Sequence, residues 1–165
     1  MVQAEVELLK AALRDGCNHA FLLLSDTCAP LYSLQCAHTF LVRTGRSFVS
    51  ARHSHERREQ YHCLPDAVRA RWRKGSQWFV LTRVHARLVV SNWSSWRDAC
   101  GTSMPFVDEH LVPIVVSGHG SFIPTSLTHV VMGSAEGHAT VQYRGSTHSA
   151  AWHAREWTGA ALRHE

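Results

Sequence analysis

At 165 residues the chain is long enough for one domain with its own core, and 45% hydrophobic against 18% charged residues excludes an intrinsically disordered protein. No run approaches the ~18 consecutive apolar residues of a membrane-spanning helix, and no secretory leader opens the chain, so it reads as soluble. Lys and Arg number 17 against 13 Asp and Glu, and 15 of those cations are Arg; the planar guanidinium suits phosphate or carboxylate, although a compositional bias toward Arg, Ala and His is the plainer cause.

Val2, Val6, Leu9 and Leu13 form one apolar stripe at helical spacing, so residues 2–14 read as a helix that Gly16 stops. Ala20 to Leu24 is a continuous apolar run ahead of Ser25-Asp26-Thr27, the pattern of a strand buried on both faces. Ser33 is placed to cap a second helix through Leu34, Ala37, Phe40 and Leu41 to Arg43, ended by Gly45. Ser47 to Ser50 reads as a short strand. Residues 51–73, rich in Arg and His and without periodicity, read as a long loop of the functional or mobile kind.

Trp78 to Leu81 reads as a strand that buries Trp78 and Phe79, and Thr82 as the cap of a helix through Val84, Leu88 and Val89. Residues 93–104 read as a connector. Asp108 stands where an N-cap would open a helix through Leu111 and Val115. Strand and loop follow Gly118, with Leu127 to Met132 the clearest strand, and the stretch from Gly145 is weakly patterned. The alternation of strand and helix predicts an α/β layered fold.

Three groups of residues carry chemistry. Asp108-Glu109-His110 puts two carboxylates at a predicted helix start, where negative charge is stabilised; Glu109 could serve as a general base, although capping alone also explains the pair. Arg69, Arg71, Arg73 and Lys74 alternate with Ala70 and Trp72 and could grip phosphate or stack on a sugar, or form a solvated basic loop. His53, His55, His148 and His153 have no metal-binding spacing, and the 5 Cys include no C-x-x-C pair, so neither zinc nor any other metal is expected.

Four blocks in order resemble the plant-type branch of the core-2/I-branching β-1,6-N-acetylglucosaminyltransferases, glycosyltransferase family 14. Residues 1–33 look like the family's helix, strand and "LSesCiPLy" turn. R-W-R-K-G-S-Q-W-F-V-L-T-R, residues 71–83, is similar to "qWrkGSQWf.l.R". F-V-D-E-H-L-V-P, residues 106–113, is similar to "YvDEHYlPT", and S-L-T-H-V-V-M-G, residues 126–133, to "sLTyvdWs". The resemblance spans roughly residues 1–140.

It implies a GT-A-like (Rossmann-related) α/β fold, incomplete at both ends, with residues 1–145 as its central, acceptor-side part and 146–165 as a tail. It also implies transfer of a sugar, N-acetylglucosamine in the family, from a UDP-sugar to an acceptor glycan hydroxyl with inversion, without metal or other cofactor. Glu109 takes the place of the family's general base. Asp108 would hold the turn or the donor side, Arg71, Trp72 and Lys74 would contact substrate, and Ser76 and Gln77 would line the cleft. Ser25 and Asp26 follow a strand's carboxyl end, the usual ligand side of an open α/β sheet.

The family's second cysteine before the D-E-H block is absent here, so Cys100 is left free or pairs elsewhere. The family is anchored in the Golgi membrane, and that anchor would lie outside this chain, as would a basic C-terminal segment that neutralises the UDP diphosphate. The alternatives are a glycan-binding family member that does not transfer sugar, and an Arg-rich nucleic-acid-binding module. The latter lacks a basic helix and has no aromatic platform beyond Trp72.

Overall fold

The computed structural model describes residues 1–24, 28–101, 104–130 and the pair 148–149. Helix α1 (Val2–Leu13) turns Val2, Val6 and Leu9 inward, as its stripe requires. Strand β1 (Ala20–Leu22) follows, then α2 (Leu34–Thr44), whose Ser33 cap accepts the Cys36 N–H at 3.2 Å and whose end is Gly45 in the left-handed region at φ 58°. An oxygen-bearing cap of this kind contributes about 1 kcal/mol over alanine. Next come β2 (Ser47–Val49), β3 (Arg52–His53), a 3-10 turn at Arg58–Tyr61, α3 (Asp66–Arg69), β4 (Arg73–Lys74) and β5 (Phe79–Thr82). Thr82 caps α4 (Arg83–Cys100); a second 3-10 turn at Val107–Glu109 leads into α5 (Leu111–Ser117), and β6 (Phe122–Ile123), β7 (His129–Val130) and β8 (His148–Ser149) complete the order.

The main sheet runs β1-β5-β2-β6. β5 is antiparallel to both β1 and β2, and β2 is parallel to β6. Alternation along the strands sends neighbours to opposite faces. Val49, Phe79 and Leu81 join the larger core with α1, α4 and α5, while Phe48 and Val80 pack with Leu41 of α2 and with Leu127 on the other side. The result is helices on both faces of a mixed sheet, an α/β layered fold as the alternation predicts. β3 and β4 form a separate antiparallel ribbon, and β7 pairs with β8.

Four expectations are corrected. The Ala20–Leu24 run is not buried on both faces: β1 ends the sheet order, and Leu22 and, just beyond it, Leu24 are 40% and 49% exposed. Residues 51–73 are not a loose loop. Tyr61, Leu64 and Trp72 sit in the core, and short elements of two to four residues are too brief to show a period. The connector read at 93–104 is helix as far as Cys100. Trp93 and Trp96 continue the Ala86–Val89 stripe into the core, and tryptophan's modest helix propensity yields to that burial.

Asp108, finally, caps no helix. Val107 is buried and Phe106 takes a left-handed φ of 54°, so the chain enters a 3-10 turn first, and α5 begins after His110 without a side-chain cap. Cys100 does pair elsewhere: it is disulfide-bonded to Cys63, with Cα atoms 5.3 Å apart. That bond ties the end of α4 to the folded 54–72 segment. The stretch from Gly145, apart from the β8 pairing, and Ser25 and Asp26 lie outside the described residues.

Candidate active site

The seam between the β4 segment and the start of α5 brings together Lys74 and Glu109, one from each of the two most specific sequence blocks. Gly75 makes the approach possible. A Cβ there would stand 1.7 Å from the Ser50 carbonyl oxygen and 2.9 Å from Pro113 Cγ, so only glycine fits between β2's exit and α5. Its N–H donates to the Glu109 carbonyl at 2.9 Å. Pro113 is itself tolerated because it stands in the first turn of α5, where no N–H is needed.

Across this seam Lys74 Nζ lies 3.2 Å from Glu109 Oε2 and 2.7 Å from Glu56 Oε1. The lysine side chain is 16% exposed and that of Glu109 32%, so the carboxylate is reachable from solvent while most of the lysine side chain is covered. The hydrogen bond to Glu56, seconded by Glu109, raises the Lys74 pKa, and the same bond lowers that of Glu56. Lys74 is therefore a fixed cation shared by two carboxylates.

Asp108 faces a different neighbourhood. Its charge acts on Glu5, which burial on α1 and then Asp108 push up to about 7, and on Tyr61, raised by burial first and Asp108 second. The Tyr61 hydroxyl donates to the Pro105 carbonyl. Beneath Glu109, His110, Trp72, Tyr61 and Trp96 form an aromatic stack, with Trp72 3% exposed and its indole N–H on the Glu56 carbonyl at 2.9 Å. Trp72 is thus a floor under the seam with no surface to offer a ligand.

The four cations do not converge. Arg69 pairs with Asp66, Arg71 donates to the Ala67 carbonyl at 3.2 Å, Arg73 is 2.9 Å from His53 Nδ1, and Lys74 alone turns to Glu109. Arg71 lies against the end of α5, where a Cβ on Gly118 would be 2.5 Å from its Nη1. Ser76 Oγ accepts the Trp78 N–H at 3.2 Å, which shapes the turn into β5, and Gln77 is half-buried beside it. Glu5 and Glu56 are missed by the sequence reading, and nothing around either marks it; Gly75 and His110 lie inside the recognisable blocks, but the sequence gives neither the part it plays in the seam.

The family model of the Core-2/I-branching enzymes matches residues 1–163. The chain belongs to the Core-2/I-branching enzyme family. Glycosyltransferase BC10 of rice (Oryza sativa subsp. japonica) is similar to it at 31% identity over 73% of this chain and 36% of its own length. The chain thus spans about a third of the length of that relative. No solved structure matches. Among the described residues of this Core-2/I-branching chain, no group of three or more His, Cys, Asp and Glu could hold a metal ion. No helix there is long and apolar enough to cross a membrane.

Proposed function

We propose that the chain forms the acceptor-side part of a glycosyltransferase with a GT-A-like fold. It would transfer a sugar, N-acetylglucosamine by resemblance, from a UDP-sugar to a glycan hydroxyl with inversion. The observation that carries this is Glu109, a solvent-reachable carboxylate fixed through its own carbonyl by Gly75 and through Oε2 by Lys74. In the step, the acceptor hydroxyl gives its proton to the Glu109 carboxylate as its oxygen bonds to the anomeric carbon. The anomeric C–O bond to the diphosphate breaks on the opposite face, and UDP leaves with that electron pair. Lys74 fits an acceptor contact, since a ligand hydroxyl can replace either of its carboxylates. By resemblance such a protein works at the Golgi membrane.

A second reading, glycan binding without transfer, is favoured by Arg69, Arg71 and Arg73, which turn to Asp66, the Ala67 carbonyl and His53 and do not converge to hold a diphosphate. A thermal melt with UDP, UDP-N-acetylglucosamine and an acceptor oligosaccharide separates the two. A ligand at a hundred times its dissociation constant adds ~2.7 kcal/mol, several degrees for a domain of this size. Shifts with the nucleotides support transfer, a shift with glycan alone supports the second reading, and no shift with any of them overturns both.

A further inference from the structure

His110 is fully buried, yet packing accounts for only part of what an imidazole brings to its position. The ring lies 4.6 Å from Trp72, nearly parallel at 28°, and edge-on to Tyr61 at 5.8 Å. Nδ1 is 2.8 Å from the Arg73 carbonyl oxygen, which can only accept, so the ring proton sits on Nδ1. Nε2 is left with a lone pair, buried and without a hydrogen-bond partner. Burial lowers the imidazole pKa, against the pull of the Arg73 carbonyl, so the ring is neutral at pH 7. Leaving a buried polar atom without a partner costs stability. A phenyl ring would pack as well without that cost. What imidazole adds is one donor, aimed at the residue before Lys74.

That donor works with a second one. Gly75 N–H donates to the Glu109 carbonyl at 2.9 Å, so the chain is tied to residues 109–110 on both sides of Lys74. We propose that His110 is a positioning residue, whose Nδ1–H bond to the Arg73 carbonyl holds Lys74 against the Glu109 carboxylate. Its catalytic consequence rests on Glu109 being the base; the geometry can be tested without turnover.

The chain has only two lysines, Lys10 and Lys74, so trace acetylation read by mass spectrometry reports on Lys74 with Lys10 as internal reference. The comparison is made in a Glu56→Ala background, so that Glu109 is the carboxylate left to hold Lys74. His110→Phe keeps the stack and removes the donor, and raises Lys74 reactivity by about threefold, the size of a modest ion pair. His110→Asn, whose Nδ2 can take the place of Nδ1, keeps Lys74 close to its starting reactivity. Should His110→Phe not fold, His110→Gln replaces it, since its longer amide misses the Nδ1 position while losing the ring equally. Equal Lys74 reactivity in the Asn variant and in the donor-lacking variant overturns the proposal. Turnover unaffected by Glu109→Gln would sink the base assignment and leave the lysine result standing.

Discussion

The ammonium of Lys74 and the carboxylate of Glu109 lie 3.2 Å apart across a seam that two backbone-directed hydrogen bonds close on either side. The contact joins two chain segments that the sequence keeps apart, the end of β4 and the 3-10 turn before α5.

In the proposed step Glu109 is the proton acceptor, and Glu109→Gln removes it while keeping the shape, the Gly75 contact and an oxygen for Lys74. Turnover of UDP-sugar is expected to fall by about a hundredfold or more, the usual contribution of a positioned base. The donor KM and the melting temperature stay near those of the unsubstituted chain, because the side chain is partly exposed and no core contact is lost. Single-turnover kinetics with saturating acceptor make the measurement. An unchanged kcat would remove Glu109 from the chemistry.

Gly75→Ala tests the seam from the backbone side. A Cβ 1.7 Å from the Ser50 carbonyl oxygen cannot be relieved by a side-chain rotation, since the obstacle is main chain. The cost is expected at about 3 kcal/mol or more, the upper range for overpacking. Gly16, with nothing within 4 Å of the equivalent position, is the control, and Gly16→Ala is expected to stay within about 0.5 kcal/mol. Urea midpoints compare them; two equal midpoints would mean β2's exit can move away from β4.

The Cys63–Cys100 bridge is expected to matter as much. It closes a loop of sequence separation 37, for which chain entropy gives on the order of 3–4 kcal/mol, or about 10 °C in melting temperature. Cys100→Ser and the double serine variant should melt alike, and reductant should lower the unsubstituted chain to the same point. A melt indifferent to reductant would show that the buried Tyr61–Leu64–Trp72 cluster holds the segment without covalent help.

Elements with a period or a cap were legible: α1 from its stripe, α2 from Ser33 and Gly45, and the start of α4 from Thr82. What failed did so where tertiary contacts overrode local pattern. The tryptophans at 93 and 96 extend α4 because the core receives them, and the 54–72 segment folds around Tyr61 and a disulfide whose pairing no spacing announces. Asp108 was misplaced because a buried Val107 and the left-handed Phe106 set the entry to α5, and neither leaves a sequence signature. At the site, the D-E-H and G-S-Q-W blocks pointed to Glu109 and Lys74, which the fold brings together. The same reasoning expected Arg71 and Trp72 beside them, yet one lies on the end of α5 and the other beneath the seam.

Glu5 provides a pH-dependent test on the opposite side of the Asp108 turn. The residue is 6% exposed and borders a cavity of about 390 Å³ between α1 and β1, and burial first, then Asp108, raises its pKa from 4.5 to about 7. Between pH 4.5 and 7 the folded chain holds a proton there that the unfolded chain has released. Stability from this group is full below pH 4.5 and is lost as pH rises toward 7, reaching about 3 kcal/mol at one pKa unit per 1.36 kcal/mol. His85 and His110, lowered below 6.5 mainly by burial, run the other way: they remain neutral when the unfolded imidazoles protonate, so their part is lost as pH falls below 6.5. Glu5→Gln isolates the first slope, because the amide cannot ionise while the histidines are untouched. Relative to the unsubstituted chain, it is expected to gain stability steadily from pH 5 to about pH 7 and to level off above that, read from urea unfolding at each pH. A difference between the two proteins that stays flat across that range would mean that the Glu5 carboxyl finds water or a cation when folded and keeps its ordinary acidity.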